Sequence, residues 1–141
     1  YKINMKFGDV YLMGRIDRLY KANGGWEIVD FKTDDIDDKV IALRKEEYEV
    51  QLGVYSYLLS KVYPDQEIFK SYILFTKRPD TPVEITHTSE SLKSFESKIN
   101  EMVKQIRQMD LNMDISIPAD LKSHCRICGY FSDEKCIGKE I

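Results

Sequence analysis

Two short segments separated by a glycine-rich turn constrain this chain more than anything else in it. Gly14-Arg15-Ile16-Asp17-Arg18 reads as part of one strand, and Val29-Asp30-Phe31-Lys32-Thr33 as part of the next. Between them, Asn23-Gly24-Gly25 can make a tight turn that folds the two strands side by side. Side chains alternate along a strand, so Asp30 and Lys32 point to the same face. Asp17 stands 13 positions before Asp30. The spacing predicts two carboxylates and an ammonium within reach of one another.

The surrounding pattern is that of an α/β chain. Ile3, Met5 and Phe7 alternate with Lys2, Asn4 and Lys6, which predicts a half-buried strand. Val10 to Tyr20 reads as a second strand and Trp26 to Thr33 as a third, the three forming an antiparallel meander. The aspartate-rich stretch Asp34-Asp35-Ile36-Asp37-Asp38 then breaks the pattern as a solvated loop. It lacks the alternating oxygen donors and the glycine of a calcium loop. Tyr48, Leu52, Tyr55, Leu59 and Val62 recur at spacings of 4, 3, 4 and 3, one face of a helix over 46–63 that Pro64 stops. Phe69 to Thr76 predicts a buried strand beside the meander, and Val83 to Thr88 an edge strand. Leu92, Phe95, Ile99, Met102, Ile106 and Met109 mark a second amphipathic helix over 89–109. Irregular structure around the cysteines is expected from Leu111 onward.

Bulk properties exclude some classes. The 141 residues, 43% hydrophobic and 32% charged, suit one soluble domain with its own core. No apolar run approaches the roughly 20 residues of a membrane helix, and no signal peptide is visible, which reads as a cytoplasmic protein without membrane contact. A net charge of −3 argues against a non-specific DNA coat, which is usually basic. It leaves room for an acidic site that becomes cationic on binding metal. The chain opens on Tyr1 in mid-alternation, as a piece of a longer protein would. Cys125, Cys128 and Cys136 all fall within the last 17 residues. An odd, clustered set with a C-x-x-C pair suggests metal ligation rather than disulfides. His124 could complete a zinc site with them, or simply face solvent. His87, on the edge strand, reads as a surface residue.

The chemistry follows from the donor types. Mg²⁺ takes hard oxygen ligands and keeps several waters. Asp17 and Asp30 could supply two oxygens and the Phe31 carbonyl a third. Lys32 could hold an attacking water or the charge developing on phosphorus. That is a way to hold a divalent metal beside a phosphodiester. The same residues also read as ion pairs, Asp17 with Arg15 or Arg18 and Asp30 with Lys32. Gln51 and Tyr55 lie four apart on one helical face, where an amide and a phenol could hydrogen-bond phosphate. Tyr55 also reads as a core residue in phase with Leu52 and Leu59.

Gly14-Arg15-Ile16-Asp17-Arg18, Val29-Asp30-Phe31-Lys32-Thr33 and Gln51-Leu52-Gly53-Val54-Tyr55, in that order, resemble the RecB-like branch of the PD-(D/E)XK nuclease superfamily. The Cys125-x2-Cys128-x7-Cys136 tail is similar to that of AddB-type members, whose cysteines hold an iron–sulfur cluster. The resemblance implies a restriction-endonuclease-like core with a mixed central sheet flanked by helices. It implies Asp17 and Asp30 as ligands of Mg²⁺ or Mn²⁺, Lys32 as the catalytic lysine, and Gln51 and Tyr55 as the family's Q-x-x-x-Y motif. It further implies DNA as substrate, exonuclease-type hydrolysis, and linkage to a helicase in repair of broken ends. A [4Fe–4S] cluster is implied for the full-length parent. An upstream helix carrying a His or Glu ligand, and a fourth cysteine, are family features that would lie before Tyr1. Residues 1–141 are thus expected to form one nuclease-like domain lacking its N-terminal helix, with 111–141 as a cysteine-containing tail. A nuclease-like module that binds DNA or a partner without cutting is the alternative.

Overall fold

The computed structural model describes residues 1–34 and 37–112. The chain divides into two compact units, Tyr1–Asn100 and Glu101–Ile141. Everything below belongs to the first, apart from the end of the last helix.

Strand β1 (Lys2–Phe7) pairs antiparallel with β2 (Val10–Arg15) across a turn at Gly8-Asp9. Gly8 has a φ of 59°, the left-handed region that glycine enters at little cost. The chain then bends at Ile16-Asp17 and starts β3 (Arg18–Ala22), which belongs to a different sheet. The single strand expected over 10–20 is therefore two strands, and the expected meander is split. Ile16 is 1% exposed, and its N–H donates to the Tyr1 carbonyl at 2.8 Å. Ile16 keeps the inward phase of Val10, Leu12 and Gly14, and the ladder ends there because the chain bends away after it.

The main sheet has the order β3-β4-β5-β6. Strand β4 (Gly25–Lys32) pairs antiparallel with β3, Ala22 opposite Gly25, so Asn23-Gly24 is a two-residue turn. Gly25 has a φ of 125°, and a Cβ there would sit 2.6 Å from the Gln66 side chain. The Gln66 amide bonds both the N–H and the carbonyl of Trp26, at 2.8 and 2.9 Å. Strand β5 (Ile68–Phe75) runs parallel to β4, and β6 (Val83–Thr88) closes the edge antiparallel to β5. The sheet is mixed, and the interior strands β4 and β5 supply its core.

A parallel pair needs a crossover. Here it contains a short helix α1 (Asp38–Leu43), absent from the expectations above, and α2 (Lys45–Val62). Asp38, expected in the loop, opens α1 and accepts an ion pair from Arg78 at 2.8 Å. Helix α2 packs on β5, and also touches β1, β2, β6 and α1. Leu52, Leu58 and Leu59 are at most 1% exposed, and full burial of each stabilises the fold by about 1.5–3 kcal/mol. The hydroxyls of Ser56 and Ser71 meet at 3.1 Å between α2 and β5, both fully buried. Val62, expected on the apolar face, is 47% exposed.

Helix α3 (Ser89–Asn112) begins with a reciprocal cap. The Ser91 N–H donates to Thr88 Oγ1, and the Thr88 N–H to Ser91 Oγ. Its first half packs on α2, where Lys61 meets Glu96 at 3.1 Å. His87 is half-buried rather than on the surface, its ring 5.9 Å from that of Phe95. Burial holds its pKa below the ordinary 6.5, opposed by the Glu49 carboxylate.

Gly53 fixes how closely α2 and α3 approach, because a Cβ there would lie 2.5 Å from the Phe95 ring. Alanine in a helix interior is worth about 1 kcal/mol over glycine, whereas overpacking costs about 1–3 kcal/mol. Gly53→Ala is expected to lower the free energy of urea unfolding, and adding Phe95→Leu to recover part of the loss. A stabilised Gly53→Ala would contradict the packing described.

Candidate active site

The site begins with where β4 ends. Ile28, Asp30 and Lys32 share the face turned toward α2, and Asp30 is 4% exposed. A buried carboxylate costs several kcal/mol unless it is paired and hydrogen-bonded. Two side chains supply that compensation through three contacts. Lys32 Nζ lies 2.7 Å from Asp30 Oδ2. Gln51 Nε2 donates to Asp30 Oδ1 at 2.9 Å. Gln51 Oε1 in turn accepts from Lys32 Nζ at 3.1 Å. The amide thus bonds both members of the ion pair and closes a three-residue ring between β4 and α2.

Tyr55 extends the network. Gln51 Nε2 also lies 3.2 Å from the Tyr55 hydroxyl, one turn further along α2. The Tyr55 ring is held against the β1–β2 hairpin at Gly14, where a Cβ would sit 3.0 Å from the ring and 3.1 Å from Ile3. Half-buried, Tyr55 both packs against the hairpin and hydrogen-bonds Gln51.

Asp17 reaches the same place from the other side. Its Oδ2 accepts from the Phe31 N–H at 3.0 Å. Register explains this: Arg18 pairs with Val29, so one further step sets Asp17 beside Asp30. Among the described residues Asp17 has no ion pair with Arg15 or Arg18, and Arg18 instead stacks 5.5 Å from the Tyr20 ring. The Phe31 side chain is 39% exposed, while its backbone lies between the two aspartates. Asp17, Asp30, Phe31, Lys32, Gln51 and Tyr55 are therefore all brought together, at the carboxyl end of β4 where it runs parallel to β5. In open α/β sheets that end is where ligands bind.

Sequence reasoning missed one participant. Tyr48, read only as an apolar position, is 4% exposed with its ring 6.0 Å from Lys32 Nζ. Its buried hydroxyl has no hydrogen-bond partner among the described residues. The signal was its place one turn before Gln51, in phase with Tyr55. Cys125, Cys128, Cys136 and His124 lie outside the described residues.

The donor set suits a hard cation. Asp30 Oδ2 is buried, and among the described residues its partner is the Lys32 ammonium at 2.7 Å. The second oxygen of Asp17 has no partner among the described residues. These residues contain no group of three or more His, Cys, Asp or Glu that could hold a metal. Two carboxylates and a carbonyl match an ion that keeps its waters, as Mg²⁺ does, and not a closed zinc site.

The PD-(D/E)XK nuclease superfamily matches residues 1–132. No curated protein and no solved structure shows a significant match. The mixed four-stranded sheet with its helices is the α/β architecture expected of a restriction-endonuclease-like fold.

Gln51 joins every other member of the network, so its removal is the sharpest test. Gln51→Leu leaves one Asp30 oxygen buried without a donor, at an expected cost of about 1–3 kcal/mol in urea unfolding. Tyr55→Phe removes one bond from a half-exposed group and is expected to cost less than 1 kcal/mol. The reverse order of effects would contradict the geometry.

Proposed function

The chain belongs to the PD-(D/E)XK nuclease superfamily, and on that premise we propose that Asp17, Asp30 and Lys32 are the catalytic centre of a metal-dependent deoxyribonuclease. The observation that carries the reading is the Asp30–Lys32–Gln51 ring with Asp17 on the adjoining Phe31 N–H. Nucleases of this superfamily typically use divalent metals. The carboxylates of Asp17 and Asp30, with the Phe31 carbonyl, would hold Mg²⁺ or Mn²⁺. When bound, such an ion supplies Lewis-acid polarisation of the phosphoryl oxygens and eases deprotonation of water.

The chain's own groups do the rest. Lys32 carries a positive charge on a flexible stem. Released from Asp30, its ammonium can orient the attacking water or neutralise charge on the phosphoryl oxygens. The water oxygen bonds to phosphorus as the bond from phosphorus to the departing sugar oxygen breaks. Gln51 fixes where Lys32 rests, and its amide and the Tyr55 hydroxyl offer donors to phosphate along the rim.

The finer reading places the chain in the RecB-like branch, as a helicase-linked exonuclease of DNA repair. Its support is the ordered sequence set ending in Gln51 and Tyr55, together with the cysteine tail. A second reading, a module that grips DNA without cutting, draws on the two aspartates having no third His, Cys, Asp or Glu grouped with them among the described residues.

Cleavage of a labelled DNA with added Mg²⁺ or Mn²⁺ separates the two, assayed on the chain and on the longer protein containing it. Asp30→Ala is expected to abolish cleavage and to weaken Mn²⁺ binding in calorimetric titration. Lys32→Ala is expected to abolish or greatly weaken cleavage while Mn²⁺ binds at least as well, because a competing ammonium is gone. Equal loss of metal affinity in both variants would contradict the assigned roles, and binding without cleavage would favour the second reading.

The tail adds a chemical check. Three thiolates from Cys125, Cys128 and Cys136 leave one position of a four-coordinate site open, so a [4Fe–4S] cluster needs a fourth cysteine from the longer protein. Anaerobically purified, that protein is expected to be coloured and to contain iron and sulfide. A colourless protein with stoichiometric zinc would replace the cluster with a zinc site that could include His124.

A further inference from the structure

The geometry points to the outer face of the β1–β2 hairpin as a track for single-stranded DNA leading to the catalytic centre. The inference deepens the reading above and rests on its choice of nucleic acid as substrate. Directly opposed residues of an antiparallel pair share a face. Lys2 opposes Arg15, Asn4 opposes Met13, and Lys6 opposes Tyr11. All six are exposed, Tyr11 at 69% and Met13 at 77%. The alternate residues, Ile3, Met5 and Phe7 with Leu12 and Gly14, turn inward to α2. They leave the outer face no role in packing this unit.

The composition of that face runs against the rest of the molecule. The chain carries a net charge of −3, yet these six residues hold three cations and no carboxylate. Among the described residues Lys2, Lys6 and Arg15 have no ion-pair partner. A cationic face on an anionic protein is complementary to a polyanion. The face holds a phenol ring and a thioether between its cations, and these decide which polyanion. A duplex offers phosphates but keeps its bases stacked inside. A single strand offers phosphates and bare base faces together, and aromatic side chains between basic ones are how such strands are held.

Position supports direction. Lys2 and Arg15 lie at the end of the hairpin beside the Ile16-Asp17 bend, and Asp17 is two residues beyond Arg15. Lys6 and Tyr11 lie about 13 Å further out along the strands. A strand laid along the hairpin from Tyr11 to Arg15 arrives where Asp17 and Asp30 converge.

Fluorescence anisotropy tests this with labelled oligothymidylate and a labelled duplex of equal length, in EDTA so that nothing is cleaved. Tighter binding of oligothymidylate than of duplex is expected. Lys2→Gln with Lys6→Gln should weaken it at least tenfold and make the salt dependence shallower by about 0.7 per cation lost. Tyr11→Ala should weaken it about tenfold, while Tyr11→Phe, which keeps the ring, should bind like the parent. Circular dichroism of each variant checks that these exposed positions leave the fold intact. Equal affinity for duplex, no binding, or binding indifferent to these substitutions overturns the track. Strand binding without cleavage under Mg²⁺ or Mn²⁺ would sink the catalytic reading and leave the track standing. Cleavage that ignores the hairpin variants would do the opposite.

Discussion

The burial of Asp30 is the constraint from which most of this structure follows. A carboxylate at 4% exposure in an interior strand is unfavourable unless its charge is matched and its oxygens are occupied. Strand geometry supplies the first match, since Lys32 two positions on shares the face. It cannot supply the second. Gln51 must come from another element, and its amide can reach both residues only if α2 lies across the end of β4. Leu52 and Leu59 hold the helix there by apolar contact, and Ser56 against Ser71 lets it approach closely. The polar ring then selects which register of that contact is allowed. Hydrophobic burial provides the bulk of the energy, and the charge ring sets the alignment.

The bend at Ile16-Asp17 is the second determinant. Had residues 10–20 continued as one strand, the hairpin would have extended the main sheet and Asp17 would have stayed within its ladder. Burying Ile16 turns the chain and moves β1–β2 onto α2, where Gly14 admits the Tyr55 ring. It also leaves Asp17 outside both ladders, free to accept the Phe31 N–H. One buried residue at the bend thus positions an aspartate and leaves a hairpin face turned outward.

Much of this was legible in the sequence because it is local. The alternation of Ile3, Met5 and Phe7 gave β1, the Asn-Gly turn gave the β3–β4 hairpin, and a 4-3-4-3 spacing gave α2. The same-face placement of Asp30 and Lys32, and of Gln51 and Tyr55, is fixed by the periods of strand and helix. The misreadings are nonlocal. Whether β2 and β3 are one strand depends on what Ile16 packs against, and no pattern within 10–20 records it. Helix α1 is shorter than the window in which periodicity becomes visible. His87 lies on an edge strand yet is covered by Phe95 of the next helix. The hydrogen-bond partner of Asp17 is nonlocal in the same way. Nearby arginines suggested an ion pair, whereas the cross-strand register offered a backbone N–H.

On the function proposed above, the ring would let one site hold a buried anion and also accept a divalent cation. With Lys32 on Asp30 Oδ2, the buried charge is neutralised and the fold loses little. A divalent cation at that oxygen would compete with the Lys32 ammonium that now occupies it. The lysine can yield by rotating its stem, with no change to β4. Gln51 keeps its donor on Oδ1 throughout, so the carboxylate does not swing when its partner changes. The displaced ammonium, no longer neutralised, stays within a side chain's length of the same oxygens. It is placed for a phosphate to become its next anionic partner. Exchange of one counter-charge for another, around an aspartate that stays fixed, would couple cation binding to the release of the lysine.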